Sequence, residues 1–113
     1  MDTNIPYIEK IVSVIVSTVA PDKIILFGSY ARGDFRKNSD IDILILKKGL
    51  ENEIDVTERL YMNFYKQRIV TPVDVIAMDY EKFDELSNEI GYIYKTIKKE
   101  GIVIYERRRK IKV

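Results

Sequence analysis

Residues Leu26–Leu46 read LFGSYARGDFRKNSDIDILIL, and the spacing within this stretch decides the fold. Gly28-Ser29 follows a short apolar run, ten residues intervene, and Asp40-Ile41-Asp42 opens a second apolar run. A glycine–serine turn can hold phosphate oxygens on backbone N–H groups and a hydroxyl, and a helix beginning there adds a favourable dipole. Carboxylates at i and i+2 of a strand point to the same face, where both reach one divalent cation. A phosphate cradle beside metal-binding carboxylates predicts nucleotide chemistry. The turn alone carries little weight, and no Gly-Lys-Ser/Thr follows to make it a Walker loop.

Asp42 is the harder residue to explain away. It sits inside IDILIL, where an unpaired buried carboxylate is costly. Two such groups on one face repel and raise each other's pKa unless a cation neutralises them. Asp74 repeats the pattern: it is the polar position of PVDVIAM (72–78), and VDVIA parallels IDILI. If the two strands are neighbours, three carboxylates share one face and can hold magnesium or accept a proton from an attacking hydroxyl. Arg32, three residues after Ser29, lies where it can pair a phosphate or one of these carboxylates. Arg36 and Lys37 read as ordinary solvated basic residues.

Outward from this stretch, the expected elements are a helix from Thr3 to Val19, a strand from Lys23 to Phe27, and one or two helical turns from Ser29 to Gly33. A strand from Ser39 to Leu46 is apolar on both faces beyond Asp42, so it belongs in the middle of a covered sheet. A helix from about Glu51 to Gln67, a strand from Pro72 to Met78, a helical region from Asp79 to Glu100 broken near Ser87, and a strand from Ile102 to Tyr105 complete the chain. Thr3 or Asn4 is expected to cap the first helix, Asp79 reads as a helix cap, and Gly101 as a helix end. Tyr61, Phe64, Tyr65, Tyr92 and Tyr94 are expected to pack in or at the core. The fold class is α/β (α+β): a small mixed sheet covered by helices. One domain spans residues 1–113, with 106–113 a frayed basic tail.

Composition removes several classes of chemistry. The 113 residues contain no cysteine and no histidine. Disulfides, thiolate nucleophiles, imidazole bases and most zinc or copper sites are therefore excluded. Hard oxygen donors remain, and these favour magnesium or manganese. A net charge of +1 gives no general attraction to nucleic acid or anionic membrane. No targeting or membrane-spanning segment is visible, so a cytoplasmic location is expected.

The pattern G-S-x(10)-D-x-D, in the fuller form GSYARGDFRKNSDIDILI with a third aspartate in a later strand, resembles the DNA polymerase β-type nucleotidyltransferase superfamily. More narrowly it is similar to the minimal nucleotidyltransferase group. The resemblance implies a polymerase β-like core in which Gly28 and Ser29 hold the nucleotide phosphates. It also implies that Asp40 and Asp42 bind magnesium and that Asp74 shares the metal or activates the acceptor; the Ala31-Arg32-Gly33 segment matches too. It further implies ATP as substrate, transfer of AMP to a tyrosine hydroxyl of a HEPN-type ribonuclease toxin, and a role as that toxin's antitoxin, in complex with it. Nucleic acid is not expected as a direct substrate. Two alternatives stand beside this: a non-catalytic antitoxin that only binds the toxin, and a small-molecule nucleotidyltransferase of the aminoglycoside type.

Overall fold

In the computed structural model, residues 5–89 and 93–107 are described. The chain runs α1 (Ile8–Val19), β1 (Lys23–Phe27), α2 (Ser29–Arg32), β2 (Ile41–Leu46), α3 (Glu53–Lys66), β3 (Val73–Met78), α4 (Tyr80–Ser87), α5 (Ile93–Glu100) and β4 (Ile102–Glu106). The four strands form one sheet in the order β3-β2-β1-β4. β2 and β3 are parallel, joined by the α3 crossover, while β1 runs antiparallel to both β2 and β4. This is the mixed, helix-covered sheet the sequence predicts.

Strand periodicity explains why β2 lies centrally. Ile41, Ile43 and Ile45 point to one face and Leu44 and Leu46 to the other, and all five are buried. The isoleucine face packs with Ile24 and Leu26 of β1 against α1 and α3. The leucine face packs with Ile25, Phe27 and Met78 against Phe83 of α4 and Ile97 of α5. Each fully buried aliphatic side chain contributes about 1.5–3 kcal/mol, so both layers hold the sheet.

Local signals set the element ends. Asn52 caps α3 by accepting from the Asp55 N–H at 3.0 Å, and Asp79 caps α4 by accepting from the Lys82 N–H at 3.2 Å. Gly101 turns α5 into β4 and donates to the Ile97 carbonyl at 2.7 Å. A Cβ at Gly101 would press on Ile25 and on that carbonyl, so glycine lets α5 sit tightly against β1. The break expected near Ser87 is the end of α4.

Several expectations need correction. α1 starts at Ile8 rather than Thr3, after a turn in which Tyr7 adopts a left-handed φ of 61°. Thr3 and Asn4 lie outside the described residues. β2 begins at Ile41, which leaves Asp40 just before the ladder rather than in it. Glu106 belongs to β4, and Arg107 is tied down: its N–H donates to the Asp22 carbonyl and its guanidinium to the Ala20 carbonyl, both at 2.9 Å. The rest of the expected basic tail lies outside the described residues.

Of the aromatic residues, Phe64 is buried and Tyr94 packs edge-on against Phe83. Tyr65 is 81 % exposed and contributes nothing to the core, contrary to expectation. Tyr61 sits at the outer edge of β3, where its hydroxyl accepts from the Val75 N–H at 3.0 Å. Tyr92 falls outside the described residues.

Candidate active site

Asp42 and Asp74 stand on the leucine face of the sheet, near the ends where β2 and β3 begin. Register brings them together. Phe27 pairs with Asp42 across β1 and β2, and Asp42 pairs with Asp74 across β2 and β3. Gly28 directly after β1, Asp42 on β2 and Asp74 on β3 therefore lie on neighbouring segments, and the convergence of VDVIA with IDILI is observed. Asp40 joins them from the loop before β2: its charge pushes the Asp42 pKa up, and both its charge and a hydrogen bond raise that of Asp74.

Burial is the first cause of the raised pKa of Asp42, followed by the charges of Asp74 and Asp40, with Arg32 opposing. Burial is likewise first for Asp74, which lies closer to solvent. Burial first, and then the neighbouring carboxylates, disfavour the charged forms here. An oxygen-only donor set carrying uncompensated charge suits a hard divalent cation. Among the described residues, no three acidic side chains are drawn close enough to form a ready-made metal cage. The carboxylates would have to close around an ion.

Gly28 makes the close approach of β1 to Asp42 possible. It has φ 72° and ψ −154°, and a Cβ there would collide with the Asp42 carboxylate. Any side chain would clash with Asp42 and strain the turn. Ser29 opens α2, which is a single turn closed by the Ala31 and Arg32 N–H groups on the Gly28 carbonyl, each at 3.1 Å. Arg32 points its Nε to Asp34 at 3.2 Å and stays half exposed beside the site.

These groups border a cavity of about 440 Å³, with Gly28, Ser29, Arg32, Asp40 and Asp42 on one side. The opposite wall is α5, through Ile93, Thr96, Ile97 and Glu100. Asp74 does not line this cavity. It borders a separate shallow depression with Tyr61, Tyr65 and Pro72 at the β3 edge. Sequence reasoning missed the α5 wall. Its signal was present, because 93, 96, 97 and 100 follow the i, i+3, i+4, i+7 spacing of one helix face.

A mixed sheet with a Gly-Ser turn against one aspartate strand and a third aspartate on the next is the arrangement of a nucleotidyltransferase. Residues 9–110 match the family described as Polymerase beta, Nucleotidyltransferase, and the chain belongs to that family. It is 41 % identical over 87 residues to the Methanocaldococcus jannaschii protein named "Putative protein adenylyltransferase MJ0141", covering 74 % of this chain and 73 % of that one. It is 38 % identical over 84 residues to MJ0604 of the same organism, which bears the same description, covering 74 % and 77 % of the two chains. Among solved structures, a protein described as "a putative nucleotidyltransferase from Sulfolobus solfataricus" shares 31 % identity with a TM-score of 0.56, covering 88 % of this chain and 77 % of that one. A chain of a toxin–antitoxin structure with AMP-PNP shares the fold at a TM-score of 0.63 and 22 % identity, covering 88 % and 73 %.

No helix among the described residues is long and apolar enough to cross a membrane.

Proposed function

We propose that this protein transfers AMP from ATP to a tyrosine hydroxyl of a partner protein, a HEPN-type ribonuclease toxin, and thereby acts as its antitoxin. The observation that carries this reading is the direct pairing of Asp42 with Asp74, beside a glycine that only a bare backbone could place against Asp42. The description of MJ0141 and MJ0604 as protein adenylyltransferases supports the type of reaction and acceptor. The fold shared with a toxin–antitoxin structure containing AMP-PNP supports the partner and the nucleotide.

In this reading Gly28 and Ser29 hold the triphosphate, and Arg32 would exchange Asp34 for a phosphate oxygen. Asp40 and Asp42 hold magnesium or manganese, and Asp74 shares the metal or accepts the proton of the incoming hydroxyl. Bound metal would neutralise the triphosphate and polarise the α-phosphate. The acceptor oxygen forms a bond to the α-phosphorus, the bond to the bridging oxygen breaks, and pyrophosphate leaves with the electron pair. Nucleotide and acceptor approach from different sides, because the cavity opens over β1 and α5 while Asp74 faces the β3 edge.

The test is incubation of the co-purified pair with α-labelled ATP and magnesium. Label should appear on a tyrosine of the partner, and Asp42→Asn should reduce transfer about a hundredfold or more. A folded Asp42→Asn variant that still neutralises the partner fully would replace this reading with simple binding.

A further inference from the structure

Tyr65 gives nothing to the core, yet it stands beside the carboxylates. At 81 % it is the most exposed of the large hydrophobic side chains described, and it borders the same depression as Asp74. Burying such a ring would stabilise the fold, and here that gain is forgone. Of the two tyrosines on the depression, Tyr61 has its hydroxyl engaged by the Val75 N–H. Tyr65 is the solvated one.

The chain path fixes this proximity. Tyr65 is the penultimate residue of α3, and Asp74 is the second residue of β3. The return between them is tight. The Arg68 N–H donates to the Tyr65 carbonyl at 3.0 Å, and the Ile69 N–H donates to the Phe64 carbonyl at 3.1 Å. The backbone beneath Tyr65 is therefore held, while its exposed ring exchanges rotamers within nanoseconds.

The direction of approach suits displacement at phosphorus. Phe27, directly before the Gly28-Ser29 turn, pairs with Asp42, and Asp74 lies one strand further out. With the triphosphate at the turn and its α-phosphate at Asp42, pyrophosphate leaves towards β1. The in-line position opposite it then lies on the β3 side, where Tyr65 stands.

We propose that Tyr65 is a site of self-modification: without its partner, the chain transfers AMP from ATP to its own Tyr65 hydroxyl. The phenolic oxygen bonds to the α-phosphorus, the bond from that phosphorus to the bridging oxygen breaks, and pyrophosphate takes the electron pair. The phenolic proton passes to Asp74. The step is intramolecular, because the α3–β3 return sets acceptor and carboxylate together in one chain. The inference rests on reading the site as one that transfers AMP, and its test separates the two.

The test is incubation of the purified full chain alone with α-labelled ATP and magnesium, followed by peptide mass mapping. One AMP should appear on Tyr65, at an initial rate per chain that is independent of protein concentration. Tyr65→Phe should abolish this label and leave labelling of the co-purified partner intact, whereas Asp42→Asn should abolish both. The phenylalanine variant keeps the exposed ring and should melt as the wild type does.

Label confined to another residue of the chain would overturn the inference, as would a rate per chain that rises with concentration. A labelled partner beside a lone chain that stays blank would overturn it too. None of these results touches the transfer of AMP to the partner. A chain that labels neither itself nor its partner would remove both readings.

Discussion

Along β2 the front of the sheet changes character within a few residues. Leu44 and Leu46 are sealed beneath α4 and α5, whereas Asp42, two residues before Leu44, is half-buried and its pKa is raised by that burial and by the charges of Asp74 and Asp40. Both ends belong to one strand in one register. The covered end gains stability from apolar burial, and that stability holds the exposed end in an arrangement it would not adopt alone. Mutual repulsion of Asp40, Asp42 and Asp74 is tolerated because Leu44, Leu46 and Met78 fix the strands beneath it.

The sharpest way to break this contrast is at the covered end. Leu44→Ala should cost about 2–5 kcal/mol, read as a large fall in melting temperature or denaturant midpoint. A loss below about 1 kcal/mol would mean that the leucine layer does not anchor the site. At the open end, magnesium with ATP should raise stability by about 2.7 kcal/mol at a hundredfold excess over Kd, and by clearly more than ATP with chelator. Equal shifts with and without chelator would contradict the metal assignment.

A smaller effect is expected from pH. Asp42 and Asp74 have folded-state pKa values raised above the ordinary carboxylate range, so the folded chain binds protons that the unfolded chain releases. Without metal, stability should therefore fall as pH rises from about 4 through those raised values, and Asp42→Asn should flatten the fall. Asp79 works the other way. Its pKa is lowered by the backbone N–H groups of Gly49 and Lys82, so its contribution is present above the usual value and lost as acid protonates it. A metal-free chain whose stability rises throughout that range would reverse the argument. The smallest effect should come from Tyr65→Ser, within about 0.5 kcal/mol, since that ring is exposed.

Much of the fold and the carboxylate arrangement was legible in the chain because each strand carries its own period-two signature. IDILIL reads as a central strand, and VDVIA parallels it, so Asp74 falls beside Asp42 once the two strands are neighbours, as the register shows. What stayed hidden depended on packing between distant segments. The Ile93, Thr96, Ile97 and Glu100 face mixes apolar and polar residues because one side of α5 meets both the core and a cavity. No amphipathic rule separates those two surroundings. The start of α1 was missed because Tyr7 adopts a left-handed backbone that composition does not announce. Tyr65 resembles a core aromatic by spacing, yet the helix rotates it to solvent while Phe64 takes the buried position.

The hydroxyl of Tyr61 has a consequence beyond any reaction. β3 is an outer strand, and such strands invite extended chains to add on and grow into aggregates. By occupying the Val75 N–H, the phenol plugs one rung that a stray strand would otherwise use. Tyr61→Phe should therefore leave a protein that folds alike but stays clear in concentrated solution for a shorter time.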